Sequence, residues 1–130
     1  MSRHTGFSHI SLSVADCAAS VAWYTSVLDF VEITTIENPA FVERICVHES
    51  GFSLGLQQHH DREGGDFDPR RAGLDHLAFA VAERAELDAW QERLTALGVT
   101  NSPIEQTDFG AVLCLRDPDG IQLELFHMAM

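Results

Sequence analysis

Two segments of this chain repeat each other at an almost constant distance, and this repeat constrains the fold more than any other feature of the sequence. Residues 7–16 (FSHISLSVAD) resemble residues 74–83 (LDHLAFAVAE) at an offset of 67. Residues 51–56 (GFSLGL) match residues 120–125 (GIQLEL) at an offset of 69. Because several features align at nearly one offset, the chain is predicted to contain two copies of one structural unit.

Each copy predicts the same order of elements, which is a strand, a helix and three further short strands. The first strands are expected within 7–14 and 74–81, and helices follow Asp16 and Glu83. The remaining strands are expected at 31–37, 41–48, 52–58, 99–106, 111–116 and 121–127. The sequence therefore predicts an α+β fold, with two tandem βαβββ modules forming a curved mixed sheet around a groove.

The domain organisation follows from the same repeat. We expect residues 1–130 to form a single domain, with a first module at 7–58, a linker at 59–73 and a second module at 74–127. The linker is polar, contains glycine and has no periodicity. His59 and His60 lie in it, and we interpret them as residues of a solvated loop in preference to a metal site.

The composition disfavours several classes of protein. The chain carries 20 acidic and 8 basic residues, a net charge of −12, and every basic residue is arginine. Lysine-dependent chemistry is therefore excluded, and nucleic-acid binding is disfavoured because the chain would repel phosphates. The three cysteines form no CxxC pair, which argues against disulfides or a thiolate zinc site. Without a signal-type or membrane-spanning apolar run, we expect a cytoplasmic protein.

Three residues form a candidate metal site. His9 and His76 occupy equivalent positions in the two copies, and Glu124 interrupts an apolar strand near the end of the second copy. Two imidazoles and a carboxylate would leave part of a metal's coordination sphere open for substrate. The alternative is that both histidines are structural and Glu124 faces solvent. Gly55 is the position equivalent to Glu124 and has no side-chain ligand, so three protein ligands are expected.

Strand alternation extends the candidate site to residues that would face the same groove. Candidate substrate-groove residues are Phe7, Ser11, Gln57, Gln122 and Phe126. No catalytic residue is assigned from the sequence.

These features resemble the vicinal oxygen chelate superfamily, which includes glyoxalases, extradiol dioxygenases, fosfomycin-resistance transferases and bleomycin-resistance proteins. The resemblance depends on the two histidines together with residues 22–30 (AWYTSVLDF) and 117–124 (DPDGIQLE). It implies paired βαβββ modules, a divalent metal such as Fe(II), Mn(II), Ni(II) or Zn(II), and a homodimer.

The branch of the superfamily is left open by departures from each pattern. Gly55 replaces the first glutamate of glyoxalase I, whereas His9, His76 and Glu124 resemble the ligand set of extradiol dioxygenases. Their acid–base tyrosine has no clear counterpart, because Tyr24 is expected on a helix. Ser11 resembles a hydroxyl of the fosfomycin transferases, but their basic anion site is missing. Bleomycin-binding proteins share the acidic character and typically lack the metal ligands.

The resemblance favours a metal-dependent enzyme of the glyoxalase or dioxygenase type, acting on a small oxygen-bearing substrate that chelates a divalent metal. The alternative is a non-catalytic protein, similar to bleomycin-resistance proteins, that sequesters a drug or an aromatic metabolite in the same groove.

Overall fold

The computed structural model describes residues 2–129 of the chain and contains two compact units, with the boundary between Gly64 and Gly65. The elements of the first unit are β1 (Ile10–Ser13), α1 (Cys17–Leu28), β2 (Val31–Glu37), β3 (Phe41–Val47) and β4 (Ser53–His59). Those of the second are β5 (His76–Ala80), α2 (Ala85–Ala96), β6 (Glu105–Thr107), β7 (Gly110–Arg116) and β8 (Gln122–Met128). The predicted α+β fold with two βαβββ modules is confirmed.

Each unit contains one four-stranded mixed sheet. The strand order is β1-β4-β3-β2 in the first unit and β5-β8-β7-β6 in the second. The first strand of each unit pairs in parallel with its last strand, and the other neighbours pair antiparallel. Ser11 lies opposite Gly55, and Ala78 lies opposite Glu124. The register therefore repeats between the units, and it places residues 55 and 124 at equivalent points.

The two helices begin differently. Asp16 caps α1, and its side chain accepts a hydrogen bond from the backbone N–H of Ala19 at 3.1 Å, as expected for an N-terminal aspartate. The residue at the start of α2 is Arg84, which makes no side-chain cap hydrogen bond. Within residues 2–129, neither helix is long and apolar enough to cross a membrane.

Each helix covers one face of its own sheet. Helix α1 packs on β3 and β4, where Leu54 and Leu56 are fully buried, and α2 packs on β7 and β8, where Leu123 is fully buried. Because side chains alternate along a strand, residues 53, 55 and 57 and residues 122, 124 and 126 point to the face that the helix leaves uncovered. The polar candidate residues lie on this second face of each sheet.

Two expectations are corrected by the structure. The strand expected at 99–106 is formed only at Glu105–Thr107, with an isolated bridge between Asn101 and Leu115. Pro103 explains the gap, because proline has no N–H to donate to a strand ladder. His59, expected in the linker, is the last residue of β4.

Candidate metal centre and adjoining cavity

His76 and Glu124 face each other across the parallel strands β5 and β8 in the second unit. Their closest atoms are His76 Nε2 and Glu124 Oε1, which are 3.7 Å apart. The side chain of Glu124 is 13% exposed and that of His76 is 44% exposed, so both side chains are partly accessible to solvent. An imidazole nitrogen and a carboxylate oxygen therefore lie side by side at a partly exposed position.

The ring of His76 is oriented by the residue that precedes it. Its Nδ1 lies 2.8 Å from Asp75 Oδ1, which accepts the hydrogen bond. This hydrogen bond is the largest cause of the raised pKa of His76; burial opposes it with a smaller effect, and the negative charge of Glu124 raises the pKa further. With Nδ1 bonded to a carboxylate, Nε2 is the nitrogen left to bind a ligand, as is usual for metal-binding histidines.

The other oxygen of Glu124 is held from its own strand and from β7. Gln122 Nε2 donates a hydrogen bond to Glu124 Oε2 at 2.8 Å, and Cys114 Sγ lies 3.9 Å from the same oxygen. Burial raises the pKa of the Cys114 thiol, and the charge of Glu124 adds to that effect. The neutral thiol and the amide leave Oε1 as the oxygen that faces His76.

His9, the third predicted ligand, lies in the first unit immediately before β1. Its Nδ1 is 2.9 Å from the hydroxyl of Ser8, the residue that precedes it, just as Nδ1 of His76 is bonded to Asp75. Both histidines of the repeat thus have Nδ1 engaged by the neighbouring side chain, which leaves Nε2 of each available.

The donor set fits a divalent metal, since imidazole and carboxylate donors suit Fe(II), Mn(II), Ni(II) and Zn(II). Within residues 2–129, however, no three histidine, cysteine, aspartate or glutamate side chains are grouped closely enough to hold an ion. His76 and Glu124 supply two ligands, and the site of His9, His76 and Glu124 together stays a prediction.

A cavity of about 360 Å³ opens on the uncovered face of the sheet in the first unit. Its lining residues are Ser8, His9, Ser11, Ile36, Glu43, Ile45, Ser53, Leu54 and Gly55. A volume of this size suits a small organic ligand.

Glu43 occupies the space that a side chain at residue 55 would fill. Ser11 Oγ donates a hydrogen bond to Glu43 Oε2 at 2.7 Å. A Cβ added to Gly55 would come closer than 3.0 Å to both of these oxygen atoms. The carboxylate that is missing from β4 is thus replaced by one that reaches over Gly55 from β3.

The five predicted groove residues lie in different places: one lines the cavity, one contacts the His76–Glu124 pair, and three lie elsewhere. Ser11 lines the cavity, and Gln122 contacts Glu124. Gln57 lies opposite Glu43 in the sheet, with its Nε2 3.3 Å from Nε2 of His59. The other two candidates are aromatic: Phe7 is 69% exposed and stacks on Phe52, and Phe126 follows Glu124 on the same face of β8.

Sequence reasoning missed Asp75, Cys114 and Glu43. Asp75 was visible as an acid directly before a repeat histidine. Cys114 lies opposite Glu124 in the antiparallel pair β7–β8, and no sequence pattern linked the two residues. The signal for Glu43 was the glycine in the middle of the apolar strand β4, since such a glycine often marks the close approach of a neighbour.

Comparison with known proteins shows that the two units together match one protein family. The model of the Glyoxalase/Bleomycin resistance protein/Dioxygenase superfamily matches residues 6–125. A protein of Bacillus subtilis (strain 168), named "Putative ring-cleaving dioxygenase MhqA", is 28% identical over 123 residues, which are 92% of this chain. The chain spans 39% of the length of that relative.

Solved structures with a similar fold include one from Frankia sp. EAN1pec and one from Listeria monocytogenes. The glyoxylase/bleomycin resistance protein/dioxygenase domain from Frankia sp. EAN1pec superposes with a TM-score of 0.90 and 35% identity, covering 98% of this chain and 94% of that one. The fosfomycin resistance protein FosX from Listeria monocytogenes, solved with Mn(II) and a sulfate ion, has a TM-score of 0.72 and 24% identity, covering 98% and 96%. At that identity the second likeness concerns the fold.

Proposed function

Because this chain belongs to the Glyoxalase/Bleomycin resistance protein/Dioxygenase superfamily, we propose that it is a metal-dependent enzyme. Its substrate would be a small oxygen-bearing molecule that chelates a divalent ion, in a reaction of the glyoxalase or dioxygenase type. The proposal includes a homodimer, as the family resemblance implies.

The observation that carries this proposal is the pair of His76 Nε2 and Glu124 Oε1, 3.7 Å apart and each oriented by a second hydrogen bond. A histidine nitrogen and a glutamate oxygen this close can supply two of the ligands of a divalent metal. We assign His9 as the third ligand, because its Nδ1 is engaged by Ser8 in the same way as that of His76 is by Asp75.

The residues around the pair have separable tasks. A bound divalent ion would polarise the oxygen atoms of the substrate as a Lewis acid. Asp75 keeps the proton of His76 on Nδ1, and Gln122 fixes one carboxylate oxygen of Glu124. Both residues therefore hold the ligating atoms in place before substrate arrives, which lowers the cost of organising the site.

Metal analysis of the purified protein tests the proposal. We expect one transition-metal ion for each complete site, and titration of metal-free protein with Mn(II) should give a saturable signal in electron paramagnetic resonance. His76→Ala and Glu124→Gln should abolish tight binding, while the matched control His60→Ala should retain it. Metal-free protein that stays empty when titrated with Fe(II), Mn(II), Ni(II) and Zn(II) would contradict the proposal.

A mixing experiment tests whether His9 completes the site from a second copy of the chain. Neither His9→Ala nor His76→Ala should bind metal tightly alone. If two copies share each site, refolding the two variants together restores part of the metal binding, because one kind of site then has every ligand. If His9 acts within its own chain, the mixture stays empty.

One observation favours the alternative function of a protein that sequesters a drug or an aromatic metabolite. Within the described residues, 2–129, no three potential ligands are grouped to hold an ion. Under this alternative, ligand binding in the first-unit cavity would be unchanged by His76→Ala and by a chelator.

A further inference from the structure

We propose that the first-unit cavity selects a ligand with an apolar body and a hydrogen-bond-donating head, and that Glu43 is the residue that recognises this head. The ligand class goes beyond the proposed function, and only its identification as the substrate rests on that function. The recognised chemistry is a hydroxyl or a protonated amine, and an anionic head is rejected.

The first step of the argument is the position of the carboxylate. Glu43 is half-buried on β3, and Ser11 donates to its Oε2 from β1. The two residues lie on different strands of one sheet, with Gly55 on the strand between them. The missing Cβ of Gly55 makes room for this hydrogen bond, so the carboxylate is placed by the sheet and not by a mobile loop.

The second step is the charge of the cavity wall. Within the described residues, the lining includes no lysine or arginine, and Glu43 is its one carboxylate. The next residue on the strand, Arg44, pairs with Glu32 on the helix-covered side. Glu43 thus presents a negative charge to a cavity whose described lining holds no lysine or arginine, in a chain of net charge −12. A carboxylate or phosphonate head would be repelled there, whereas a donor would form a charge-assisted hydrogen bond.

The third step is the apolar part of the cavity lining. Ile36 and Ile45 project from β2 and β3 on the uncovered face and supply the apolar side chains of the cavity lining. Ile36 is 42% exposed, so a ligand body that covers it would remove apolar surface from water. An apolar body beside one fixed acceptor defines an amphipathic ligand with its donor at one end.

The test compares three probes that share one ring and differ only in the head: benzyl alcohol, benzylammonium and benzoate. Binding to metal-free protein is measured by calorimetry and by amide shifts of Ser11 and Gly55 in NMR spectra. We expect the alcohol and the ammonium to bind at least about tenfold more tightly than benzoate. Equal binding of benzoate, or no binding of any probe at millimolar concentration, would overturn the proposal.

Variants assign the preference to Glu43. Glu43→Gln should weaken benzylammonium binding by about tenfold and improve benzoate binding, because the charge is removed while the shape is kept. The matched control Glu49→Gln removes one exposed acid of the same unit outside the cavity and should change neither affinity. If both variants shift the affinities equally, the effect comes from net charge and the proposal fails.

A rescue variant tests whether the carboxylate alone gives the preference, whichever strand carries it. Glu43→Ala combined with Gly55→Asp would return a carboxylate to the same space from β4, since the Cβ of residue 55 points at the present position of Glu43 Oε2. We expect this double variant to recover the preference for benzylammonium over benzoate. If it folds and shows no such preference, the carboxylate is not the recognising group.

The outcomes distinguish this inference from the proposed function, because every probe is measured without metal. Head-group selectivity in a protein that binds no metal would support the inference and reject the enzyme. Metal binding without head-group selectivity would support the enzyme and reject the inference.

Discussion

Gln122 donates a hydrogen bond to Glu124 from two positions away on the same face of β8, across 2.8 Å. Since this bond fixes one oxygen of the proposed ligand, Gln122→Leu should weaken Mn(II) binding by about tenfold without unfolding the protein. Titration of metal-free protein with Mn(II) measures the change. Gln106→Leu, on the exposed strand β6, is the matched control and should bind Mn(II) as the wild type does. An unchanged affinity in the Gln122 variant would remove this residue from the site.

Asp75 should control the protonation of His76. Its hydrogen bond is the largest cause of the raised pKa of His76, so Asp75→Asn should lower that pKa towards the ordinary histidine value. NMR titration of the metal-free protein follows the ring protons directly. The exposed Asp66→Asn is the control and should leave the pKa of His76 unchanged.

The same pKa shift predicts how stability depends on pH. A histidine pKa that is raised on folding stabilises the protein at pH values below the ordinary histidine pKa, and this contribution is lost as the pH rises through the raised value. Asp75→Asn should therefore destabilise the metal-free protein more at roughly pH 5 than at roughly pH 8 in urea titrations. A larger loss at the higher pH would contradict the assigned cause of the shift.

Gly55→Ala should disturb the first-unit cavity. The new methyl group would meet Glu43 Oε2 and Ser11 Oγ, which are side-chain atoms that can move. We expect a loss of about 1 kcal/mol in the free energy of unfolding, together with a displaced Glu43. Gly64→Ala meets no atom within 4 Å and serves as the control. Equal stability of the two variants in urea titrations would contradict the close approach over residue 55.

The cap of α1 should contribute measurably to stability. Asp16→Ala removes the acceptor for the Ala19 N–H and should lower the free energy of unfolding by about 1 kcal/mol. Arg84→Ala at the corresponding position of α2 removes no cap hydrogen bond, so it should cost less. Chemical denaturation of both variants decides the comparison, and a larger loss in Arg84→Ala would show that the caps are misassigned.

The internal repeat predicted most of the fold because each copy brings its own helix signals and alternating strands. It failed at 99–106, where Pro103 interrupts an otherwise strand-like sequence. For the site, the repeat identified His9 and His76, since both occupy the same point of the same unit. It could not identify Glu43, because a comparison of the two copies reveals only residues that both copies share. The residue equivalent to Glu43 in the second unit is Val112.

The parallel pairing of β5 with β8 has a consequence for biosynthesis. His76 and Glu124 become neighbours only when strands that are separated by a helix and two other strands have paired. A growing chain on the ribosome therefore displays His76 well before its carboxylate partner has been translated. Under the proposed function, tight metal binding would therefore begin only after the second unit has folded, so a bound ion would mark a completely folded second unit.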